Sequence, residues 1–459
     1  MQPHEAVSAL TFMDLSNLLP PVSRALGGGR AEPGRRLVLG VADAVKPAVI
    51  AASARDAQGP VLVVVARALR ARDLVDELAA WLGADAARVR LFPERDTLPY
   101  ERAAEDPWEV RERLDVIARL SSGGRPIVVA CVEAVAQRTL SPKAAAESVS
   151  TLSAGMRLTP DDLLRRLHAS GYEVAPLVEA PGQAARRGGI IDLFPPSSAR
   201  PIRVEFFGGQ VESIREFDPD TQRSQGRLDT ATVGRAYEFS PDPAAAARLR
   251  DLLDFSRCSD DVRERITEGL DALADGDVKR APPFLASLLS PFSLLDHLPA
   301  GSTVVLDEPL DLSRALDEYV AETATMRIER EMRGELPSGL PPAQANWHDL
   351  QPSLERHALL ELARFATEES GAARPPFSAA AGYGGRVRVL ARDLGEAIRG
   401  PSAASVVIVS QQASRLATIL GDEGLPLRSV DARIDEPDPG LVQLVRGSLP
   451  HGWRLAGAR

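Results

Sequence analysis

At 459 residues the chain is too long for one ordinary domain, and about three is the expectation. A composition of 44% hydrophobic and 26% charged residues is that of a folded protein and excludes a disordered or fibrous chain. The net charge of −10 argues against indiscriminate nucleic-acid binding by the whole surface.

The longest apolar runs, such as Val61 to Val65, fall far short of the roughly 20 residues that span a bilayer. The opening MQPHEAVSAL carries an acid and no basic run, so no secretory signal is read. The expected location is cytoplasmic, with no membrane contact. Two distant cysteines, Cys131 and Cys258, rule out a disulfide framework, and six scattered histidines offer no metal-ligand spacing. Of the 54 basic residues 51 are arginine, the skew of a GC-rich genome. An arginine pair in this chain therefore marks a site only where its setting adds something.

From Arg36 to Arg138 strands and helices alternate. Strands are expected at Arg36 to Val41, Pro60 to Ala66, Arg88 to Phe92 and Pro126 to Val132. They are short and apolar on both faces, as strands buried in a parallel sheet are. Leu69, Leu74, Leu78, Trp81 and Leu82 define one helical face, and Val110, Leu114, Ile117 and Leu120 another. The pattern predicts a doubly wound α/β domain.

After Ser141 the pattern changes. Thr159, Pro160 and two acids open a helix that Gly171 stops. Strands then follow at Gly188 to Phe194, Ile202 to Phe207 and Val211 to Phe217, the last two joined by a Gly208-Gly209-Gln210 turn. A small α+β insert over 141–217 is expected.

Helices at Pro243 to Phe255 and Asp260 to Ala274 lead to a buried strand, Ser302 to Pro309, which can return the chain to the first sheet. Pro- and Gly-rich Glu335 to Asn346 reads as a linker. A helix (Leu354 to Phe365), a strand (Ser405 to Ser410), a helix (Ala413 to Leu420) and a strand (Leu427 to Val430) make a further small α/β unit. The expected divisions are 1–140 and 218–343 for the two parts of the first domain, 141–217 for the insert and 344–459 for the last unit.

Several stretches in order carry a family resemblance. They are LPYE (Leu98 to Glu101), RERLDVIARL (Arg111 to Leu120), PIVVACVEAVAQR (Pro126 to Arg138), VEAPGQAARRGGIIDLFPP (Val178 to Pro196) and IRVEFFGGQVESIREFDPDTQRS (Ile202 to Ser224). Together they resemble the block shared by UvrB and the transcription-repair coupling factors (Mfd). RGSLPHGW (Arg446 to Trp453) is similar to the close of the third Mfd domain.

Two features favour the coupling-factor side. First, GVADAVKP (Gly40 to Pro47) stands where a phosphate-binding loop would, after the first strand. A working loop needs a second glycine and a Ser or Thr after the lysine. Gly40 and Lys46 fit that pattern, but Val45 and Pro47 break it. Valine resists a positive φ, and proline brings neither hydroxyl nor N–H. The simplest reading makes Lys46 a solvated loop residue. Asp307-Glu308, after the strand at Ser302, resembles a Mg²⁺-binding acidic pair. With no competent loop to serve, it reads as a relic at the sheet edge or as helix N-terminal charge.

Second, UvrB-type proteins insert a long aromatic hairpin into DNA between the segments matching Leu98 to Glu101 and Arg111 to Leu120. Here nine residues, Arg102 to Val110, separate them, with Trp108 the sole aromatic. A wedge between bases does not fit that length.

The resemblance implies a degenerate P-loop-type domain, an insert like UvrB domain 2 that binds UvrA, and a further small α/β domain. The family's contact arginine matches Arg187, with Arg186 beside it; the plain alternative is an arginine-rich turn facing water. Some family members carry a basic residue after the Gly-Tyr pair, where this chain has Glu173. No catalytic residue, metal or cofactor is expected in the chain itself. In complete family members an ATP- and Mg-dependent translocase displaces stalled RNA polymerase from double-stranded DNA, and its motifs are absent from this sequence. A UvrB-like ATPase with an altered loop and a stand-alone UvrA-binding adaptor remain as alternatives.

Overall fold

The computed structural model describes residues 13–27, 34–101, 105–147, 150–239, 242–365, 371–399, 403–430, 434 and 439–456. The opening residues read for a leader and residues 102–104 of the short connection lie outside the described residues.

After helix α1 (Leu19–Ala25) the chain lays down four parallel strands: β1 (Arg36–Gly40), β2 (Val61–Val65), β3 (Val89–Phe92) and β4 (Ile127–Cys131). Helices α2 (Lys46–Asp56), α3 (Ala68–Leu82) and α4 (Pro107–Ser121) connect them. The apolar faces pack as the spacing requires, with one difference. Leu74, Leu78, Trp81 and Leu82 of α3 are buried, but Leu69 is 72% exposed. It lies in the first turn, beyond the end of β2, where the sheet no longer covers the helix.

Short helices α5 (Val132–Ala136) and α6 (Pro142–Glu147) lead into the insert. Strand β5 (Ser150–Ser153) precedes α7 (Pro160–Ala169), whose Thr159 cap accepts from the Asp162 amide at 3.1 Å. A sheet follows: β6 (Glu173–Val174), β7 (Gln183–Arg187), β8 (Ile190–Leu193), β9 (Ile202–Phe207), β10 (Gln210–Phe217) and β11 (Ser224–Leu228), in spatial order β11-β10-β9-β8-β7-β6. Phe207 pairs with Gln210 across Gly208 and Gly209, whose φ of +59° and +80° suit a two-residue hairpin turn. The β unit runs past Phe217, because β12 (Thr230–Val233) pairs back on β5. Leu163 and Leu167 of α7, with Leu152 and Val233, cover one face of the sheet.

Helices α8 (Pro243–Leu252), α9 (Asp260–Ala274) and α10 (Pro283–Leu288) form a side layer with Tyr100 in its core. Strand β13 (Thr303–Asp307) then enters the first sheet. The 24-residue helix α11 (Pro309–Met332) and α12 (Trp347–Leu354) follow. Where the sequence suggests a helix over Leu354 to Phe365, the structure has strand β14 (Ala358–Ala363), slotted between β1 and β13. Short apolar runs do not distinguish buried strand from helix. Glu361 interrupts this run but meets Arg36 at 2.7 Å. The finished sheet is all parallel, in order β1-β14-β13-β2-β4-β3. Helices α2 and α3 pack on one face and α4, α5, α11 and α12 on the other, which is the doubly wound α/β arrangement.

The last unit holds β15 (Phe377–Ala379), α13 (Val387–Arg399), β16 (Val406–Ser410), α14 (Ala413–Asp422), β17 (Leu427–Val430), β18 (Val442–Arg446) and β19 (Trp453–Leu455). Its parallel sheet runs β16-β18-β17, with α13 and α14 on one face. The other face joins the core around α3, where Trp453 stacks on Trp81 at 5.9 Å. No helix among the described residues is long and apolar enough to cross a membrane.

The segment that leaves the insert after β12 is tied to the first domain by a buried charge network. Glu238, fully buried, accepts from Arg113 Nε and Nη2 at 2.8 and 2.9 Å and from Arg95 Nη2 at 2.8 Å. The Arg113 guanidinium lies 4.1 Å over the Phe92 ring and also donates to the Pro93 carbonyl at 2.7 Å. Burial alone would raise the Glu238 carboxyl, but Arg113 and Arg95 hold it down at about 2, against an ordinary 4.5. Because the folded value is depressed, this stability is present above pH 4.5 and is lost as pH falls toward 2. Removing one partner of such a pair costs about 3–5 kcal/mol. Glu238→Ala is therefore expected to lower the unfolding free energy by that amount in urea titrations. Glu238→Gln should flatten the parent's loss of stability between pH 4.5 and 2.

Candidate functional site

The segment in the phosphate-loop position is closed. After Gly40 the chain turns through a 3-10 segment, Asp43–Val45, and enters α2 at Lys46. The Gly40 amide donates to Ala373 O at 2.8 Å and that of Val41 to Ala363 O at 3.0 Å. The Val45 amide donates to Ala42 O, the Lys46 amide to Asp43 O, and Pro47 has none to give. Val45 is fully buried at a φ of −91°, an ordinary value for a β-branched residue. A phosphate cradle needs several amides aimed outward at one point, and these are turned inward.

Lys46 is not the solvated loop residue that the sequence suggests; it is 2% exposed. Its ammonium sits 2.6 Å from Asp307 Oδ1, 2.6 Å from Glu308 Oε1 and 2.7 Å from Asp43 Oδ1. Burial disfavours the charge, but Asp307 and the hydrogen bonds from Asp43 and Glu308 outweigh it and raise the Lys46 pKa. The acidic pair is not at a sheet edge either. Asp307 ends β13, with β14 and β2 on its two sides, and Glu308 caps α11 in a left-handed conformation, φ +57°.

Arg364, just past β14, completes the cluster. It reaches Asp43 at 3.2 Å, Glu308 at 3.2 Å and Asp311 at 3.1 Å. Sequence reasoning named Lys46, Asp307 and Glu308, and the structure brings these three together. Gly40 contributes backbone only. Asp43, Asp311 and Arg364 were missed; Asp43 alone had a local signal, three residues before Lys46.

The insert presents a different kind of surface. Arg186 and Arg187 end β7, and two-residue periodicity sends them to opposite faces of the sheet. Arg186 lies on the helix-covered side, where it pairs with Asp161 of α7 and donates to the Gly188 carbonyl at 3.3 Å. Arg187 pairs in register with Ile190 across Gly188, φ +62°, and lies on the outer face. It is exposed and has no side-chain hydrogen bond or ion pair among the described residues. Beside it, Asp192 is almost fully buried and receives Arg203 bidentately at 2.7 and 2.9 Å. Glu205 accepts from Ser213 Oγ at 2.5 Å, and Phe207, 73% exposed, flanks the Gly188-Gly189 turn. Glu173, on edge strand β6, is exposed.

A family model described as the UvrB interaction domain matches residues 151–239, which take in α7 and nearly all the strands of the insert. The chain is 32% identical over 339 residues to the transcription-repair-coupling factor of Bacillus subtilis, covering 70% of this chain and 28% of that protein. Against the Myxococcus xanthus factor it is 31% identical, covering 61% and 24%; against that of Escherichia coli, 26%, covering 68% and 27%. The chain corresponds to the UvrB-like, amino-terminal region of the transcription-repair-coupling factors. It spans about a quarter of the length of these curated relatives.

Lys46 is here a structural cation. Lys46→Ala would leave Asp307 and Glu308 without their nearest positive charge. The expected loss is about 3–5 kcal/mol, read as an earlier urea midpoint with an unchanged slope. Lys46→Arg, which keeps the charge but not the compact ammonium, should lose less.

Proposed function

We propose that this chain is the recruiting module of a transcription-coupled repair factor and that it holds UvrA through the outer face of the insert. The observation that carries the reading is Arg187. It is the charged group of its hairpin left unpaired, and the turn beside it is held by strand pairing on both sides. The match to a UvrB interaction domain over the same residues supports it. A planar guanidinium presented from a rigid edge can take a carboxylate bidentately.

The chain itself turns over no nucleotide and needs no cofactor, because Lys46 fills the place beside Asp307 and the loop amides face inward. In the complete protein, the remaining three quarters of the relatives' length supplies ATP-driven movement on double-stranded DNA and contact with RNA polymerase. The site of action is the cytoplasm, where stalled polymerase is found. The altered-loop ATPase reading finds no support in the closed loop.

Losing one member of an interfacial charge pair costs roughly 2–5 kcal/mol. Arg187→Ala is thus expected to weaken UvrA binding by about thirtyfold or more in calorimetry, and Arg187→Glu further, with parental melting for both. Arg186→Ala should change binding much less, since its guanidinium is committed to Asp161 on the other face. Equal binding by parent and Arg187→Glu would defeat the assignment.

A separate titration addresses the loop. Millimolar Mg-ATP should leave the melting temperature unmoved and give no calorimetric signal. Micromolar affinity lost in Lys46→Ala would restore the ATPase reading.

A further inference from the structure

Trp108 stands in the short connection where UvrB-type proteins carry a wedge, and recruitment by the insert alone gives it no role. In the structure it is the second residue of α4 and points at the insert. Its ring meets Phe194 edge-on, with centroids 5.8 Å apart and planes at 85°. Phe194 belongs to a small cluster with Val178, Ala185 and Phe217, on the outer side of the insert's sheet, and Trp108 packs against that cluster. One turn on, Arg111 donates to the Ser198 carbonyl at 3.1 and 3.3 Å, its guanidinium 6.0 Å from the Trp108 ring. Arg203, which neutralises Asp192, lies 5.0 Å over Phe217. The outer face that begins at Arg187 therefore does not end at the insert's border. It continues, through Arg203 and Phe217, onto the first turn of α4, where Trp108 and Arg111 are both only partly buried.

Two physical arguments extend the recruiting surface across this seam. A stable protein–protein interface engages about 20–30 residues a side. The exposed and half-exposed outer strand positions Arg187, Ile190, Glu205, Phe207, Arg215 and Arg227 number six, so an interface centred on Arg187 must also take in neighbouring elements. Charge is the second argument. In a chain of net charge −10, these positions with the start of α4 carry four arginines (Arg187, Arg215, Arg227 and Arg111) against three acids (Glu205, Asp106 and Glu109), while Arg203 and Asp192 cancel. A positive patch on a negative molecule selects an acidic partner surface. Trp and Arg are also the side chains that most often anchor such interfaces.

We propose that the recruiting surface is composite, with Trp108 and Arg111 of the parallel-sheet domain contacting the same acidic surface of the partner that Arg187 engages. This rests on the recruiting reading above. The insert and α4 then bind as one body, and the seam between them lies inside the interface.

The test uses the whole chain and purified UvrA. Calorimetry compares the parent with Trp108→Ala, Arg111→Glu and Arg187→Glu, and amide exchange follows residues 108–111 with and without UvrA. The expected outcome is about tenfold weaker binding for Trp108→Ala and at least as much for Arg111→Glu, with slowed exchange across the first turn of α4 on binding. A purely structural role for Trp108 would not produce that footprint. If Trp108→Ala melts early, Arg111→Glu and the footprint decide. Parental affinity for Trp108→Ala and Arg111→Glu, no footprint, and lost binding only for Arg187→Glu would overturn the composite surface and leave the recruiting reading intact. Parental affinity for Arg187→Glu as well would remove both.

Discussion

The fork between Arg113 and Glu238 is the constraint on which the arrangement of this molecule rests. Arg113 comes from the middle of α4 and Glu238 from the bend in which the chain leaves the insert, and neither has any access to water. Such a pair is tolerated only when its remaining donors and acceptors are satisfied. Arg95, the Pro93 carbonyl and Gln137 provide this, and Gln137 passes the network on to Tyr319 of α11. Four separate segments are thereby held around one carboxylate. Because the insert leaves the sheet domain at this point, its outer face has a defined direction.

The two candidate sites show opposite uses of charge. At the closed loop, buried Lys46 and exposed Arg364 are both committed to ion pairs of the fold, with four carboxylates that would otherwise repel one another. At the insert, Arg187 is left unspent. An ionised group already neutralised by the fold offers little to a ligand, whereas one held in place without a partner retains its full capacity to bind. This contrast, more than the number of arginines, separates the cations committed to the fold from Arg187, the one proposed to meet a partner.

Much of the fold was legible locally. The first four strands and the hairpin at Gly208-Gly209 follow from short apolar runs and turn chemistry, which need no knowledge of distant residues. Strand β14 was not legible, because Glu361 interrupts its apolar run and Arg36, which neutralises it, lies far back in the chain. Helix α11 escaped because its apolar residues follow no single face: Leu312 and Leu316 are buried, while Leu310, Ile328 and Met332 are exposed. Strand β7 escaped because Gln, Ala and Arg have little strand propensity. Missing it also concealed that Arg186 and Arg187 point opposite ways. At the closed loop the residues could be named from motif positions, but the contact of Lys46 with Asp307 depends on which strands neighbour one another.

The register of the parallel sheet has a consequence for how the chain acquires its shape during synthesis. Arg36 of β1 lies opposite Leu359 of β14, so the first strand waits for its neighbour until more than three hundred residues have followed it. The insert's strands pair only with one another, within residues 150–233. Contacts distant in sequence form slowly and local ones quickly, and a chain emerging from the ribosome folds the units it has completed. The insert is therefore expected to fold first, while the sheet that flanks it is still open. Until β14 arrives β1 lacks its one strand partner, and an unpaired strand is the form most prone to aggregate with its neighbours.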